Sequence, residues 1–81
     1  MPYVYILKSI QHLKTYVGST TDLIRRLKEH NNNQCLFTKR YSPWKIIHKE
    51  EFSDINDARK KEKYYKSAAG RRFIKKLIDV K

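Results

Sequence analysis

Short runs of apolar residues along the chain, bounded by polar stretches, predict three β-strands. Residues 3–8 (YVYILK) and 14–18 (KTYVG) are rich in aromatic and β-branched residues, and the short polar stretch between them suits a hairpin. Residues 44–52 (WKIIHKEEF) have the same character and predict the third strand. Since the first two strands are joined by a short connection, we expect an antiparallel sheet.

The two-residue period of a strand also assigns side chains to faces. We expect Tyr5 and Tyr16 to stand opposite each other on one face of the hairpin. In the third strand, Trp44, Ile46 and His48 should share a face. The sheet therefore offers two phenols side by side, close to the end of the hairpin.

Three amphipathic stretches with a period near 3.6 residues predict three helices. The first runs from about residue 21 to 31. It follows Gly18, which permits a turn conformation, and Ser19, Thr20 or Thr21 is the expected cap. Asp22 would lie in its first turn.

The second half of the chain supplies the other two helices. One begins at Ser53 or Asp54 and runs to about Ala69, before Gly70, and the other covers residues 71–79. The order β-β-α-β-α-α predicts a single α+β domain over residues 1–81, with a three-stranded antiparallel sheet flanked by helices. Residues 31–43 have no steady period and are expected to form a long loop, which in a compact domain is often functional.

The charge balance narrows the class of partner. The 81 residues include 19 Lys and Arg against 8 Asp and Glu, a net charge of +11. Such a field attracts polyanions, so nucleic acid is the first candidate and an anionic membrane surface the second, while solubility alone is the plain alternative. No apolar run approaches the ~20 residues that span a bilayer, and no signal-peptide pattern opens the chain, so we expect a soluble, cytoplasmic monomer without a membrane partner.

Cysteine and histidine usage excludes two other sources of stability or chemistry. The single cysteine, Cys35, cannot form an internal disulfide, and the expected loop around it offers no partner to activate a thiol nucleophile. The three histidines are scattered and do not match the spacing of a structural zinc site.

Two charged side chains of the first helix lie on its apolar side. At about 100° per residue, Arg26 and His30 fall beside Leu23. Arg25 and Lys28 fall on the opposite side, where solvated charges belong. An arginine and a histidine one turn apart are thus directed toward the interior.

The second helix repeats this pattern with a carboxylate. Residues 59–76 contain nine basic residues and one acid, Glu62, which falls on the inward side of the helix. A buried carboxylate is costly unless it pairs with a cation or binds a metal. The alternatives at this stage are a salt bridge to Arg59, Arg26 or a lysine, and a metal site.

Taken together, the two phenols, the arginine, the histidine and the glutamate suit phosphodiester hydrolysis. Mg²⁺ binds one or two carboxylates together with water and phosphate oxygens. A guanidinium can bind the non-bridging oxygens as charge builds on phosphorus, and a phenol can relay a proton from water.

The motifs in order resemble the GIY-YIG nuclease domain over nearly the whole chain. The segments concerned are VYI (4–6), YVG (16–18), Arg26 and His30 in RRLKEH, and ARKKEKYYK (58–66). More narrowly, the chain resembles the small stand-alone bacterial members of that superfamily. The resemblance implies a three-stranded antiparallel sheet with helices and one divalent metal, Mg²⁺ or Mn²⁺.

The resemblance also implies roles for individual residues. Tyr5 and Tyr16 stand for the tyrosines of the two motifs, one of them the general base. Arg26 stands for the catalytic arginine, His30 for the frequent histidine one turn later, and Glu62 for the metal-binding glutamate. Valine replaces the glycine of the first motif and the isoleucine of the second, and both changes keep strand-forming character.

The resemblance leaves two functions open. The first is a metal-dependent DNA endonuclease with weak sequence specificity, of use in repair or recombination, with RNA not excluded as substrate. Its expected phosphate contacts are Lys60, Lys61, Lys63, Arg71, Arg72 and Lys75. The second, which ranks behind the first, is a binding module with little catalysis. Its support is that many catalytic members carry a late asparagine, which residues 71–81 lack, while Asn56 is expected to point outward.

Overall fold

The computed structural model describes residues 1–32 and 39–79, and these confirm the predicted order of elements. The elements are β1 (Tyr3–Ser9), β2 (Thr15–Thr20), α1 (Leu23–Asn31), β3 (Trp44–Glu51), α2 (Ile55–Tyr65) and α3 (Ala68–Asp79). The strands form an antiparallel sheet in the order β2-β1-β3. The central part of the predicted loop, with Cys35, lies outside the described residues.

The sheet separates two small hydrophobic cores because β1, the central strand, is buried on both faces. On the face covered by α1, here called the α1 face, Tyr5, Leu7 and Trp44 are buried. On the opposite face, the α2–α3 face, the buried residues are Val4, Ile6, Val17, Tyr65 and Ile74. This layering of helix, sheet and helices confirms the predicted α+β class. None of the described helices is both long and apolar enough to cross a membrane.

The first helix begins two residues later than expected. Asp22 is its N-cap, and the carboxylate of Asp22 accepts the backbone N–H of Arg25 at 3.1 Å. The prediction of a cap at Ser19, Thr20 or Thr21, with Asp22 in the first turn, is wrong because β2 extends to Thr20 and Asp22 itself is the cap. Thr20 instead accepts the N–H of Asp22 through its hydroxyl oxygen, at 3.1 Å.

An irregularity in the sheet changes the predicted face of His48. Ile6 is opposite His48 but Leu7 is opposite Ile46, so β3 carries one extra residue at this point. Such a bulge reverses the alternation beyond it. Trp44 therefore packs on the α1 face and His48 on the α2–α3 face, and the prediction that they share a face is wrong.

The boundary between the last two helices also differs from the prediction. Asp54 caps α2 as expected, but α2 ends at Tyr65 instead of about residue 69. The chain then turns at Ser67, whose hydroxyl oxygen accepts the N–H of Gly70 at 3.4 Å. The short polar side chain of Ser67 favours the start of a new helix at Ala68. Gly70 therefore lies inside α3 and does not separate the two helices.

Gly70 allows the first turn of α3 to approach the last turn of α2. A methyl group at this position would overlap the carbonyl oxygen of Tyr64 and the Cα and carbonyl carbon of Tyr65. These are backbone atoms, which cannot move aside without shifting a helix. The close approach holds Tyr65 in the core of the α2–α3 face.

We expect Gly70→Ala to destabilise the protein by about 2 kcal/mol, the usual cost of overpacking. Helix propensity alone predicts the opposite sign, since alanine is favoured over glycine by about 1 kcal/mol. Urea unfolding distinguishes the two, with Lys76→Ala, an exposed change in the same helix, as the control. A Gly70→Ala protein that is as stable as the wild type would contradict the packing described for this helix pair.

Candidate active site on both sides of an edge strand

The two tyrosines of the motifs lie on the same face of the hairpin but not opposite each other. Tyr5 pairs with Gly18, and Tyr16 pairs with Leu7. The shared face agrees with the prediction. The prediction that the two tyrosines are directly opposite is wrong, because Tyr16 lies two residues along β2 from the partner of Tyr5. The two rings are diagonal neighbours with centroids 6.3 Å apart.

Gly18 provides the space into which the phenol of Tyr5 extends. A Cβ atom at Gly18 would lie 2.5 Å from the Tyr5 hydroxyl oxygen and 3.1 Å from Cε1 of Tyr16. Gly18 lies within β2 and has no positive φ angle, so the predicted turn role is wrong. The glycine is required for close approach, since any side chain would displace the Tyr5 ring.

His30 is fully buried where α1 meets the sheet, as its position on the helix predicted. Its Nε2 lies 3.0 Å from the Tyr5 hydroxyl oxygen, and its ring centroid is 4.8 Å from that of Tyr16. Burial, followed by the nearby charge of Arg26, lowers the pKa of His30 to about 4, against a smaller opposing effect of Glu29. The imidazole is therefore neutral at pH 7.

Arg26 lies at the margin of this cluster, one helical turn before His30. Its guanidinium Nη1 is 2.9 Å from Oε1 of Glu29, and its side chain is 33% exposed. Arg25, the next residue back, has a side chain that is 68% exposed. Arg26 is therefore more buried than Arg25, as predicted. The carboxylate of Glu29 orients the guanidinium of Arg26, which is still partly accessible to an anion.

Glu62 approaches the same strand from the other side of the sheet. Its Oε1 accepts a hydrogen bond from the Ser19 hydroxyl at 2.6 Å, and its Oε2 lies 2.8 Å from Nζ of Lys66. Burial alone would raise the pKa of Glu62, but the hydrogen bonds from Lys66 and Ser19 and the charges of Lys66 and Arg59 lower it. Of the sequence alternatives, pairing with a lysine is therefore the one observed.

The candidate site is consequently divided by β2. Successive residues of a strand face opposite sides, so Gly18 belongs with Tyr5 and Tyr16, whereas Ser19 and Glu62 belong to the α2–α3 face. β2 is an edge strand of the sheet: it pairs with β1 along one side, and none of the described strands pairs with its other side. Two groups of polar side chains therefore border the same open edge, held by adjacent residues of one strand.

A comparison with known families confirms the resemblance seen in the sequence. The family model of the GIY-YIG catalytic domain matches residues 1–76. The chain belongs to this family. It therefore carries the domain of a nuclease family.

Individual relatives are small proteins of similar length. A UPF0213 protein of Listeria monocytogenes is 42% identical over 65 residues, which are 79% of this chain and 72% of the relative. A UPF0213 protein of Limosilactobacillus reuteri is 34% identical over 80 residues, covering 95% of this chain and 82% of the relative. The solution NMR structure of a UPF0213 protein from Bacillus halodurans has a TM-score of 0.54 and 30% identity, covering all of this chain and 86% of that one.

The carboxylate of Glu62 has the chemistry of a ligand for a hard divalent cation. Within residues 1–32 and 39–79, no group of three or more His, Cys, Asp or Glu residues is placed to hold a metal ion. Mg²⁺ needs only one or two carboxylates when water and substrate phosphate supply the other ligands. Glu62 is ionised, and each of its oxygens has a second lone pair, so it can serve as that ligand. The ammonium of Lys66 is the cation with which a metal would compete.

The predicted phosphate contacts lie on α2 and α3, and most are exposed. Exposed members are Lys60, Lys63, Arg71, Arg72 and Lys75. Lys61 differs because its Nζ lies 5.0 Å and 5.4 Å from the ring centroids of Tyr64 and Tyr65. A contact of Lys61 with phosphate would have to replace these cation–π interactions.

The sequence did not reveal the residues that support the carboxylate. Ser19 was assigned to a helix cap, and only the three-dimensional pairing of α2 with β2 brings it to Glu62. Lys66 could have been found, since it follows Glu62 by four residues, the spacing of an ion pair on a helix.

A second polar network on the α2–α3 face was also missed. Tyr65 and His48 both hydrogen-bond to Oε2 of Glu50, His48 at 2.8 Å. Burial, and then the hydrogen bond to Glu50, raises the pKa of Tyr65. No sequence signal links these residues, because the bulge in β3 decides which way His48 faces.

We expect His30 to titrate near pH 4 and to make stability depend on pH. The pKa is about 6.5 in the unfolded chain, so the unfolded state binds more protons between pH 6.5 and 4. The contribution is fully present above pH 6.5 and is lost as the pH falls toward 4. Between pH 6.5 and 4.5 the loss should be about 2 to 3 kcal/mol.

NMR titration of the His30 ring measures the pKa directly, and urea unfolding at several pH values measures the linkage. In His30→Gln the stability should fall less steeply over the same range. A wild-type ring that titrates near 6.5, or identical slopes for the two proteins, would show that His30 is not held neutral by burial.

Proposed function

We propose that the protein is a divalent-metal-dependent endonuclease that hydrolyses phosphodiester bonds in DNA with weak sequence specificity, in repair or recombination. The observation that supports this most is the arrangement about β2. Tyr16 lies over the Tyr5–His30 pair on one side of the strand. Glu62, kept ionised by Lys66 and Ser19, lies on the other side. The edge between them offers a phenol and a carboxylate to one substrate strand.

Exposure favours Tyr16 over Tyr5 as the general base. Tyr5 is 1% exposed and its hydroxyl group is hydrogen-bonded to buried His30, so it has little access to a water nucleophile. Tyr16 is only partly buried. In this proposal Tyr16 relays a proton: its phenolic oxygen accepts the proton of the attacking water while its own hydroxyl proton passes to solvent. Tyr5 and His30 are positioning residues that fix its ring.

Arg26 and Glu62 serve the negative charge of the phosphoryl group. The guanidinium of Arg26 binds a non-bridging oxygen as charge accumulates on phosphorus, and Glu29 keeps it oriented. Glu62, with Ser19 behind it, would hold the divalent ion. When bound, Mg²⁺ or Mn²⁺ supplies positive charge to the phosphate oxygens and polarises water.

The exposed lysines and arginines of α2 and α3 would supply affinity without base recognition. A net charge of +11 attracts the DNA backbone whatever its sequence, and binding of this kind weakens steeply with added salt. A domain of 81 residues offers little surface for reading base edges beside its phosphate contacts. Weak specificity, or recognition of DNA shape, follows from this.

The competing proposal is a nucleic-acid-binding module with little catalysis. The contact between Lys66 and Glu62 supports it, because an ammonium group already neutralises the carboxylate that would bind metal. The described end of α3 also supplies no asparagine, which many catalytic members carry late in the domain. The two proposals differ in metal binding and in the effect of single substitutions on cleavage.

Nicking of supercoiled plasmid in the presence of Mn²⁺ tests the endonuclease proposal. We expect Glu62→Gln, Arg26→Ala and Tyr16→Phe each to reduce the rate by roughly 100-fold or more, the usual loss when a general base or a charge-stabilising group is removed. A chelator should abolish the wild-type reaction.

Two neighbouring substitutions serve as matched controls for this assay. Arg25→Ala removes an exposed arginine next to Arg26, and Glu51→Gln removes an exposed carboxylate of β3. Both should cleave within about threefold of the wild type, since substitutions of exposed surface residues usually have small effects. Equal residual nicking by all variants would identify a contaminating nuclease and refute the proposal.

Calorimetric titration with Mg²⁺ tests the carboxylate separately from cleavage. We expect Glu62→Gln to lose binding of Mg²⁺, because the side-chain amide of glutamine carries no negative charge and is a poorer ligand for a hard cation than a carboxylate. Lys66→Met should bind the ion more tightly, by about tenfold, because it removes the competing ammonium but keeps the length of the side chain. A Lys66→Met protein that binds no better than the wild type would favour the binding-module proposal.

A further inference from the structure

A groove outside the proposed cleavage site lies between the β1–β2 hairpin and α3. Its volume is about 230 Å³. The residues that line it are Leu13, Thr15, Arg71, Ile74, Lys75 and Ile78. We refer to this feature as the hairpin groove.

Aliphatic side chains at the tip of the hairpin are unusually exposed. Leu13 is 90% exposed and Ile10 is 57% exposed. In the groove itself, Ile74 and Ile78 form an apolar floor one turn apart on α3. An exposed apolar surface rimmed by charge is typical of an interaction site.

Two cations stand at the rim of the hairpin groove. Arg71 and Lys75 are one helical turn apart on α3, and both are exposed. Among the residues that the structure describes, neither forms an ion pair with Asp or Glu. They can therefore meet carboxylates supplied by another molecule.

The groove is separated from the residues proposed for catalysis. Thr15 lies at the beginning of β2 and Ser19 near its end, about 13 Å along the strand at the usual rise per residue. The groove also lies on the α2–α3 face, whereas Tyr16 faces α1. A bound partner would thus leave the α1 side of β2 open.

We propose that the hairpin groove binds a short acidic segment of a partner protein, with one aliphatic side chain of that segment inserted between Leu13 and the floor of α3. Carboxylates that flank the aliphatic residue pair with Arg71 and Lys75. Arg71 and Lys75, two of the predicted phosphate contacts, would therefore serve this protein segment as well as DNA.

The lining of the groove favours a peptide over a nucleobase. Bases are recognised by stacking on aromatic rings or guanidinium planes and by hydrogen bonds to their edges. Apart from Arg71 and Lys75 at the rim, the lining is aliphatic and has no aromatic ring, and the hydroxyl of Thr15 is its one uncharged polar side-chain group. A leucine or isoleucine side chain can pack against such walls, and acidic residues next to it in the peptide can pair with Arg71 and Lys75 at the rim.

An amide NMR titration with a synthetic peptide of sequence EDELLEDE, in 150 mM NaCl, tests the proposal. Shifts are expected at Leu13, Thr15, Ile74 and Ile78. A peptide of equal charge in which serine replaces both leucines should bind about tenfold more weakly, as expected when buried aliphatic groups are lost. Equal affinity of the two peptides, or shifts spread over the whole basic surface, would overturn the proposal.

Protein variants locate the binding and control for charge. Leu13→Ser and Lys75→Glu should each weaken binding of the leucine peptide about tenfold, and both residues are exposed, so the fold should be retained. Lys28→Glu makes the same change of charge on α1 and should leave affinity nearly unchanged. Equal weakening by Lys28→Glu and Lys75→Glu would mean that only net charge attracts the peptide, which contradicts the proposal.

Two further outcomes would assign the groove to another occupant. Shifts of Leu13 that grow with protein concentration, without peptide, would identify a second copy of the chain. Shifts of the same residues with a thymidine hexanucleotide, and none with the leucine peptide, would identify nucleic acid. Either result would overturn the proposal of an acidic protein segment.

Discussion

The approach of the Tyr5 ring to His30 across Gly18 is the constraint on which the candidate site depends. The hydroxyl group of Tyr5 can reach the imidazole only because residue 18 has no side chain. This contact joins the central strand to α1 and excludes water from both partners. It also fixes the surface on which Tyr16 rests, and burial keeps the imidazole neutral at pH 7. Burial by packing thus determines the protonation state of His30 at neutral pH.

Short-range patterns in the sequence were sufficient for the elements and for the inward direction of single side chains. Aromatic and β-branched residues identified the strands, and the helical period directed His30 into the interior, where it is fully buried. The same period identified Glu62 as an isolated, half-buried acid that needs a cation. Both predictions succeed because they depend on where a residue lies on its own helix, which the sequence states directly. The family resemblance, rather than spacing alone, named the five candidate residues.

Features that depend on how elements meet could not be predicted. The bulge that turns His48 away from Trp44 results from pairing between β1 and β3, and alternation along β3 alone gives no sign of it. The hydrogen bond from Ser19 to Glu62 requires α2 to pack on β2. Because the two residues are far apart in the sequence, local patterns do not indicate this contact. Gly70 was interpreted as a helix end because local rules assign glycine to termini, whereas here it permits contact between helices.

If Tyr16 and Glu62 serve one site across the edge of β2, an ion held by Glu62 must lie near both. Substoichiometric Mn²⁺ broadens NMR signals within its vicinity, so its position can be measured without any substrate. We expect loss of the ring signals of Tyr16 together with the amide signal of Ser19, and recovery of both in Glu62→Gln. Broadening at Ser19 with sharp signals from the Tyr16 ring would place the ion on one side only and contradict a shared site.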